Sequence, residues 1–246
     1  MASATLQQAP EAPEKANSFG RIIGVLFSPK ETFESIGRQP TWLAPLILTT
    51  LVSLAMNIVL AQRVDWRAYI QMQLEKTGRS GQITNDEQMA TAVKIQKVIR
   101  YTRGVIGDIF VVLFGAAIYL GIFNLIIGAN LKFKSVLAVV SFVTIPTAIK
   151  ELLGIVILLL KDPSTINPDN FITSGLNAFI GSNPPNWLLV LGLTVDIFIF
   201  WGMYLAVVGF SSLKNKKIKM GTAFGAVFGV YLFSVLLALG VTAAFS

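Results

Sequence analysis

The sequence predicts an all-α integral membrane protein with five transmembrane helices. Two observations carry this. Five long apolar runs stand out: Thr41–Ala61, Val105–Gly128, Val136–Leu160, Trp187–Phe210 and Gly221–Phe245. The runs are also continuous rather than alternating, which favours helices over barrel strands. A helix rises about 1.5 Å per residue and the hydrocarbon core is about 30 Å thick, so about 20 residues suffice to cross it. Inside lipid only helices and closed barrels satisfy their own backbone polar groups.

Composition agrees. Hydrophobic residues make up 54% of the 246, against 13% charged, and too little chain remains outside the runs for a second globular domain. The net charge of +7 comes from short loops beside apolar runs. It is therefore read as orientation signal and anionic-lipid contact, not as a nucleic-acid surface. The chain has no cysteine and no histidine. That argues against disulfides, thiolate nucleophiles, Ser-His-Asp triads and His/Cys metal sites. No catalytic, cofactor-binding or metal-binding residue is expected, and the protein is read as not an enzyme. The first apolar run begins too late for a cleavable signal peptide.

Residues 1–18 lack periodicity and are expected to be a disordered tail, with residues 19–246 forming the membrane domain. Two short amphipathic helices are predicted over residues 19–39. Phe19, Ile22, Ile23, Leu26 and Phe27 make an apolar stripe with Arg21 opposite. Ser28-Pro29-Lys30-Glu31 then starts a helix carrying Phe33 and Ile36 on one face. These helices lie on the membrane surface, with Phe27, Phe33 and Ile36 in the bilayer interface, or pack against the ends of the spans. Trp42 and Trp187 sit at span ends, where aromatic anchors belong.

The segment 62–104 is predicted to be a helical hairpin outside the membrane. Asp65 caps its first helix, Gly78-Arg79-Ser80-Gly81 turns, and Thr84-Asn85-Asp86-Glu87 starts a helix that runs into the second span. In the loop 161–186, Asn167-Pro168 is read as a helix start, with Phe171, Ile172, Leu176, Phe179 and Ile180 on an interfacial face. Asn183-Pro184-Pro185-Asn186 is read as a turn.

The loops at 129–135 and 211–220 together hold six Lys and no acid, whereas 161–186 holds one Lys and two Asp. The positive-inside rule places the Lys loops and the N-terminus in the cytoplasm and the C-terminus outside. Segment 62–104, with eight basic and four acidic residues, points the other way.

Within the runs lie Asn57, Asp108, Asn124, Lys150, Glu151 and Asp196. Ionisable groups in hydrocarbon are costly and commonly functional. Lys150 is about 21 Å from the inner face and Asp196 about 14 Å from the outer one, so in a core about 30 Å thick both fall in the outer half. Asn57, Lys150, Glu151 and Asp196, with Asp108 near the boundary, form a candidate polar layer. It is either an internal ion pair, with Asp196 the partner of Lys150, or the wall of a water-filled path. Pro146 should kink the third span and free a carbonyl. Gly221, Gly225 and Gly229, four apart, make a close-packing face for the bundle or for a homodimer.

Several stretches carry a family likeness. FSPKETFESIGRQPTWLAPLIL resembles the start of the Ypt-interacting protein (YIP) domain in its bacterial form, through Pro29, Phe33, Ile36, Pro40, Trp42 and Pro45. FKSVLAVVSFVTIPTAI resembles the family's third span, with Pro146. VDIFIFWGMYLAVVGFSSLKNKKIKMGTAF resembles the fourth span and following loop, with Asp196, Trp201 and Gly209. The resemblance implies a five-span fold and a role in membrane organisation or trafficking. In eukaryotic members it implies Rab-type GTPase partners and a Golgi or ER location. The chain lacks the eukaryotic DLYGP-type signature and a long acidic N-terminal domain, so a GTPase partner is not expected and a cell (inner) membrane is. The expected partners are the bilayer, anionic lipids, other membrane proteins or a second copy. The other function considered is a transporter or permease-like subunit that uses the polar layer.

Overall fold

The computed structural model describes residues 17–181, 184–213 and 215–244. The expected tail, Asn183, Lys214 and Phe245 lie outside the described residues, apart from 17 and 18 of the tail. The described residues are helical and contain no strand. The helices are α1 (Ser18–Phe27), α2 (Pro29–Arg38), α3 (Leu43–Arg63), α4 (Trp66–Lys76), α5 (Asp86–Gly121), α6 (Phe133–Val143), α7 (Ile145–Leu160), α8 (Asn186–Thr194), α9 (Ile197–Ser211) and α10 (Met220–Ala244).

Four helical stretches are long and apolar enough to cross a membrane: Leu43–Arg63, Asp86–Ile126, Phe133–Leu160 and Met220–Ala244. The expected fourth span is not one helix. It is split into α8 and α9 at Val195–Asp196, each too short to cross alone. The physical reason is Asp196. Its Oδ1 accepts from Phe198 N at 2.8 Å and Ile199 N at 3.4 Å, which makes it the N-cap of a new helix.

The third span also breaks, between α6 and α7 at Thr144. Pro146 has no N–H for the ladder, and its ring opposes a continuous helix. Thr144 Oγ1 donates to Ser141 O at 2.8 Å at the same bend.

α1 and α2 fold against one end of the bundle, and the surface expectation for α2 is corrected here. Phe33 and Ile36 are fully buried. Phe33 meets Phe142 edge-on at 6.5 Å. A Cβ at Gly209 would lie 2.7 Å from Val139 Cγ1 and 3.0 Å from Phe33 Cε1, so only glycine lets α2, α6 and α9 approach this closely. α1 differs. Its Ile22 and Val25 face the protein, whereas Phe19 and Phe27 are 67% and 81% exposed. Arg21, expected on the polar face, is buried. Its guanidinium donates to Ser35 O and Oγ, Gln39 O and Thr41 Oγ1 at 2.8–3.0 Å. It thereby ties α1 to both ends of the connection into α3.

At the same end, Asn215 Nδ2 donates to Ala129 O and Lys217 Nζ to Gly128 O, each at 2.7 Å. The loops after α5 and α9 therefore meet. Asn124 is not part of the polar layer. It bonds Leu131 N and O and closes the loop after α5. At the opposite end Arg63 donates to the carbonyls of Leu158, Leu159 and Lys161, capping α7 with a cation. Gly104 lets α5 approach α3 closely, since a Cβ there would lie 2.9 Å from Leu54 Cα.

The segment 163–181 also departs from expectation. No α-helix starts at Asn167. Only short 3-10 turns occur, at Pro163–Thr165 and Leu176–Ala178. The chain spends its polar groups on local closure instead. Buried Asn177 donates to Asn170 Oδ1 and Ile172 O and accepts from Gly175 N.

Candidate functional site

The site is built where the two helix breaks and this loop converge. Lys150, one turn past Pro146 on α7, donates to Asp196 Oδ2 at 2.8 Å. The Lys150 side chain is 22% exposed and that of Asp196 only 2%. Ser174 Oγ donates to the same carboxylate oxygen. Asp196 thus serves one cation, one hydroxyl and two backbone N–H groups at a helix N-terminus, where a negative charge is favoured.

The loop satisfies the backbone that the break frees. Leu176 N donates to Val195 O at 3.0 Å, and Ile197 N to Ser174 O at 3.4 Å. Gly175 and Asp196 form an antiparallel bridge. A side chain at Gly175 would be impossible in this geometry, since its Cβ would lie 2.1 Å from Val195 O. A helix break leaves backbone polar groups that need partners when buried. Here residues 174–176 supply them.

Beside this pair lies a cavity of about 600 Å³, within the usual range for small-ligand sites. Ser53, Asn57, Arg100, Arg103, Asp108, Lys150 and Glu151 all line it; Asp196 stands behind Lys150. The members of the expected layer therefore differ in their bonding. Lys150 and Asp196 are paired. Glu151 accepts from Ser53 Oγ at 3.3 Å. Asn57 turns to its own helix and donates to Ser53 O at 2.9 Å. Neither Glu151 nor Asp108 has a cation within 4.0 Å among the described residues.

Two arginines on one face of α5 stand at the mouth, and the sequence reading did not place them in a site. Arg100 lies 3.8 Å from Asp169 Oδ1 and over the Trp66 ring at 5.6 Å. Tyr69 donates to the other Asp169 oxygen at 2.7 Å. Burial first, and then the hydrogen bond to Asp169, pushes the Tyr69 pKa up to about 12, so it stays a donor. The spacing i, i+3 along α5 was the available signal.

The glycine stripe is open. At Gly221, Gly225 and Gly229 a Cβ would meet nothing within 4 Å, so at these glycines α10 packs on no other helix among the described residues. Among the described residues no group of His, Cys, Asp and Glu could hold a metal ion.

Residues 23–242 match the Yip1 domain. The chain belongs to the Yip1 family. The match covers half of α1, all of α2 to α9 and all but the last two residues of α10, so the helix breaks, the ion pair and the cavity all lie within the Yip1 domain. With its several long apolar helices this is a multi-pass membrane protein. Comparison with curated proteins and with solved structures gave no match.

Proposed function

We propose that this Yip1-family protein is a non-enzymatic membrane-organising factor of the trafficking type, with α1 as a wedge in the cytoplasmic leaflet. In this reading the chain crosses five times, with α8 and α9 together making the fourth crossing, and α4 and the start of α5 stand outside the membrane. The N-terminus and the Lys-bearing loops are cytoplasmic and the C-terminus is external. Family membership supports the role. One observation carries the mechanism: α1 is held from behind by buried Arg21, Ile22 and Val25, while Phe19, Ile23 and Phe27 point away from the protein. An apolar helix edge in a chain whose loops carry Lys132, Lys216, Lys217 and Lys219 suits an anionic leaflet. The open face of α10 is what self-association through that helix requires.

The wild-type protein and a Phe19→Ser, Ile23→Ser, Phe27→Ser variant are to be reconstituted in vesicles containing phosphatidylglycerol. Wild type is expected to shift the vesicles to smaller or tubular shapes without solute flux. Each fully buried side chain is worth about 1.5–3 kcal/mol, so losing three should abolish most of the effect. Equal remodelling by the variant would contradict the wedge. The cavity favours a second reading, a permease-like subunit. Solute flux that disappears when Lys150 or Asp196 is neutralised would select it.

A further inference from the structure

We infer that the cavity beside Lys150 is a binding site for a phosphoethanolamine head, a phosphate ester carrying a protonated primary amine, with its source a bilayer phospholipid. The inference goes beyond membrane organisation and needs neither vesicle bending nor solute flux.

The first argument is charge. Arg100 and Arg103 stand one turn apart at the mouth, and Arg103 has no carboxylate within 4.0 Å among the described residues. Arg100 shares its single acid, Asp169, with the Tyr69 hydroxyl and the Gln73 amide. Two guanidiniums crowded together are poorly neutralised, and a phosphate bridging them restores balance with charge-assisted bonds. Farther along α5 lies Asp108, and across from it on α7 lies Glu151; among the described residues neither has a cation within 4.0 Å, and the charge of Arg103 reaches both from farther off. Lys150 cannot serve them, because Asp196 holds it. The cavity thus presents an anion site and a cation site in succession, which is the charge order of a phosphate followed by an ammonium.

The second argument is shape. α5 and α7 both pack along α3 but scarcely touch one another. The crevice opens between α5 and α7. Val111 lines the cavity, so the apolar surface of α5 continues its wall. In a phospholipid the phosphate joins the glycerol, so with the phosphate at the arginines the acyl chains leave sideways from the arginine end, between α5 and α7. Met56, Phe171 and Ile172 supply apolar wall beside the polar groups. A water-soluble phosphoamine would leave that wall and the lateral opening unused.

The test uses the delipidated full-length protein in detergent, with binding followed by native mass spectrometry and thermal unfolding. The probes are dioleoyl phosphatidylethanolamine, phosphatidylcholine and phosphatidylglycerol with the same chains, and free phosphoethanolamine. Phosphatidylethanolamine is expected to bind about tenfold more tightly than either other lipid, the worth of one charge-assisted contact. Quaternary choline has no N–H to give Asp108 and Glu151, and glycerol has no charge. Asp108→Asn with Glu151→Gln should erase the preference over phosphatidylcholine, and Arg103→Gln should weaken all three lipids. Equal affinity for phosphatidylethanolamine and phosphatidylcholine in wild type, which needs no variant, would overturn the inference. So would an unchanged preference in a folded double variant. Protection by free phosphoethanolamine equal to that by the lipid would overturn the bilayer source and retain the headgroup chemistry.

Discussion

Lys150→Met and Asp196→Asn are each expected to destabilise the detergent-solubilised protein strongly, and the double variant to recover most of that loss. The pair stands at 2.8 Å with the Asp196 side chain almost fully buried. Removing one member of such a pair leaves the other charge uncompensated, typically at about 3–5 kcal/mol. Replacing both removes the problem, so the two effects should fall short of additive by at least about 2 kcal/mol. Asparagine is the informative choice at 196 because it also caps a helix well. The bonds to Phe198 N and Ile199 N can then survive, and the cycle reports on the ion pair alone. Thermal unfolding of the four proteins measures it. Additive losses would mean that Lys150 and Asp196 act independently.

Gly175→Ala is the second large effect. The new Cβ would need to occupy space 2.1 Å from Val195 O and 2.9 Å from Asp196 Cα. Both are backbone atoms, so no side chain can swing aside. The loop must retreat, and the bonds Leu176 N to Val195 O and Ile197 N to Ser174 O open together. Each buried polar group left unmade costs about 1–3 kcal/mol, and a loss of about 4 kcal/mol is expected in all. Gly225→Ala is the control. Nothing lies within 4 Å of its Cβ, and alanine in a helix interior is favoured by up to about 1 kcal/mol. Unfolding temperatures should therefore move in opposite directions, or move only for Gly175. A neutral Gly175→Ala would show that residues 174–176 do not close the helix break.

The sequence displays some of this site plainly. Apolar run lengths reveal the long helices because helix rise and bilayer thickness fix the count. Depth alone brings Lys150 and Asp196 to one level, and proline chemistry marks the bend before Lys150. The split at Val195–Asp196 is harder to see, since a run as apolar as Trp187–Phe210 hides an N-cap. The signal was present: an aspartate directly before IFIF is a helix start, whatever precedes it. The loop around Gly175 was read as an interfacial helix because its apolar residues are spaced like one. Its actual partners are backbone groups of residues 195–197, and such long-range pairing leaves no periodic trace. Arg21 misled for a related reason. Local pattern puts an arginine on the water face, but its partners are carbonyls and hydroxyls 14 to 20 residues away. Phe33 and Ile36 carry the amphipathic pattern of a surface helix. Gly209, distant in sequence, is what draws them into the bundle.

The most direct test of the five-crossing architecture is the sidedness of four introduced cysteines, possible because the chain has none of its own. Lys30→Cys, Glu87→Cys, Lys216→Cys and Ala244→Cys all use exposed positions. Lys216 is preferred to Asn215, whose side chain bonds Ala129 O. An impermeant thiol reagent is added outside intact cells. Five crossings with a cytoplasmic N-terminus require reaction at Glu87 and Ala244 and protection at Lys30 and Lys216. The mirror pattern would keep five crossings and reverse the orientation. Reaction at Lys216 together with Glu87, with Ala244 protected alongside Lys30, would mean that α8 and α9 do not cross, and would contradict the architecture outright.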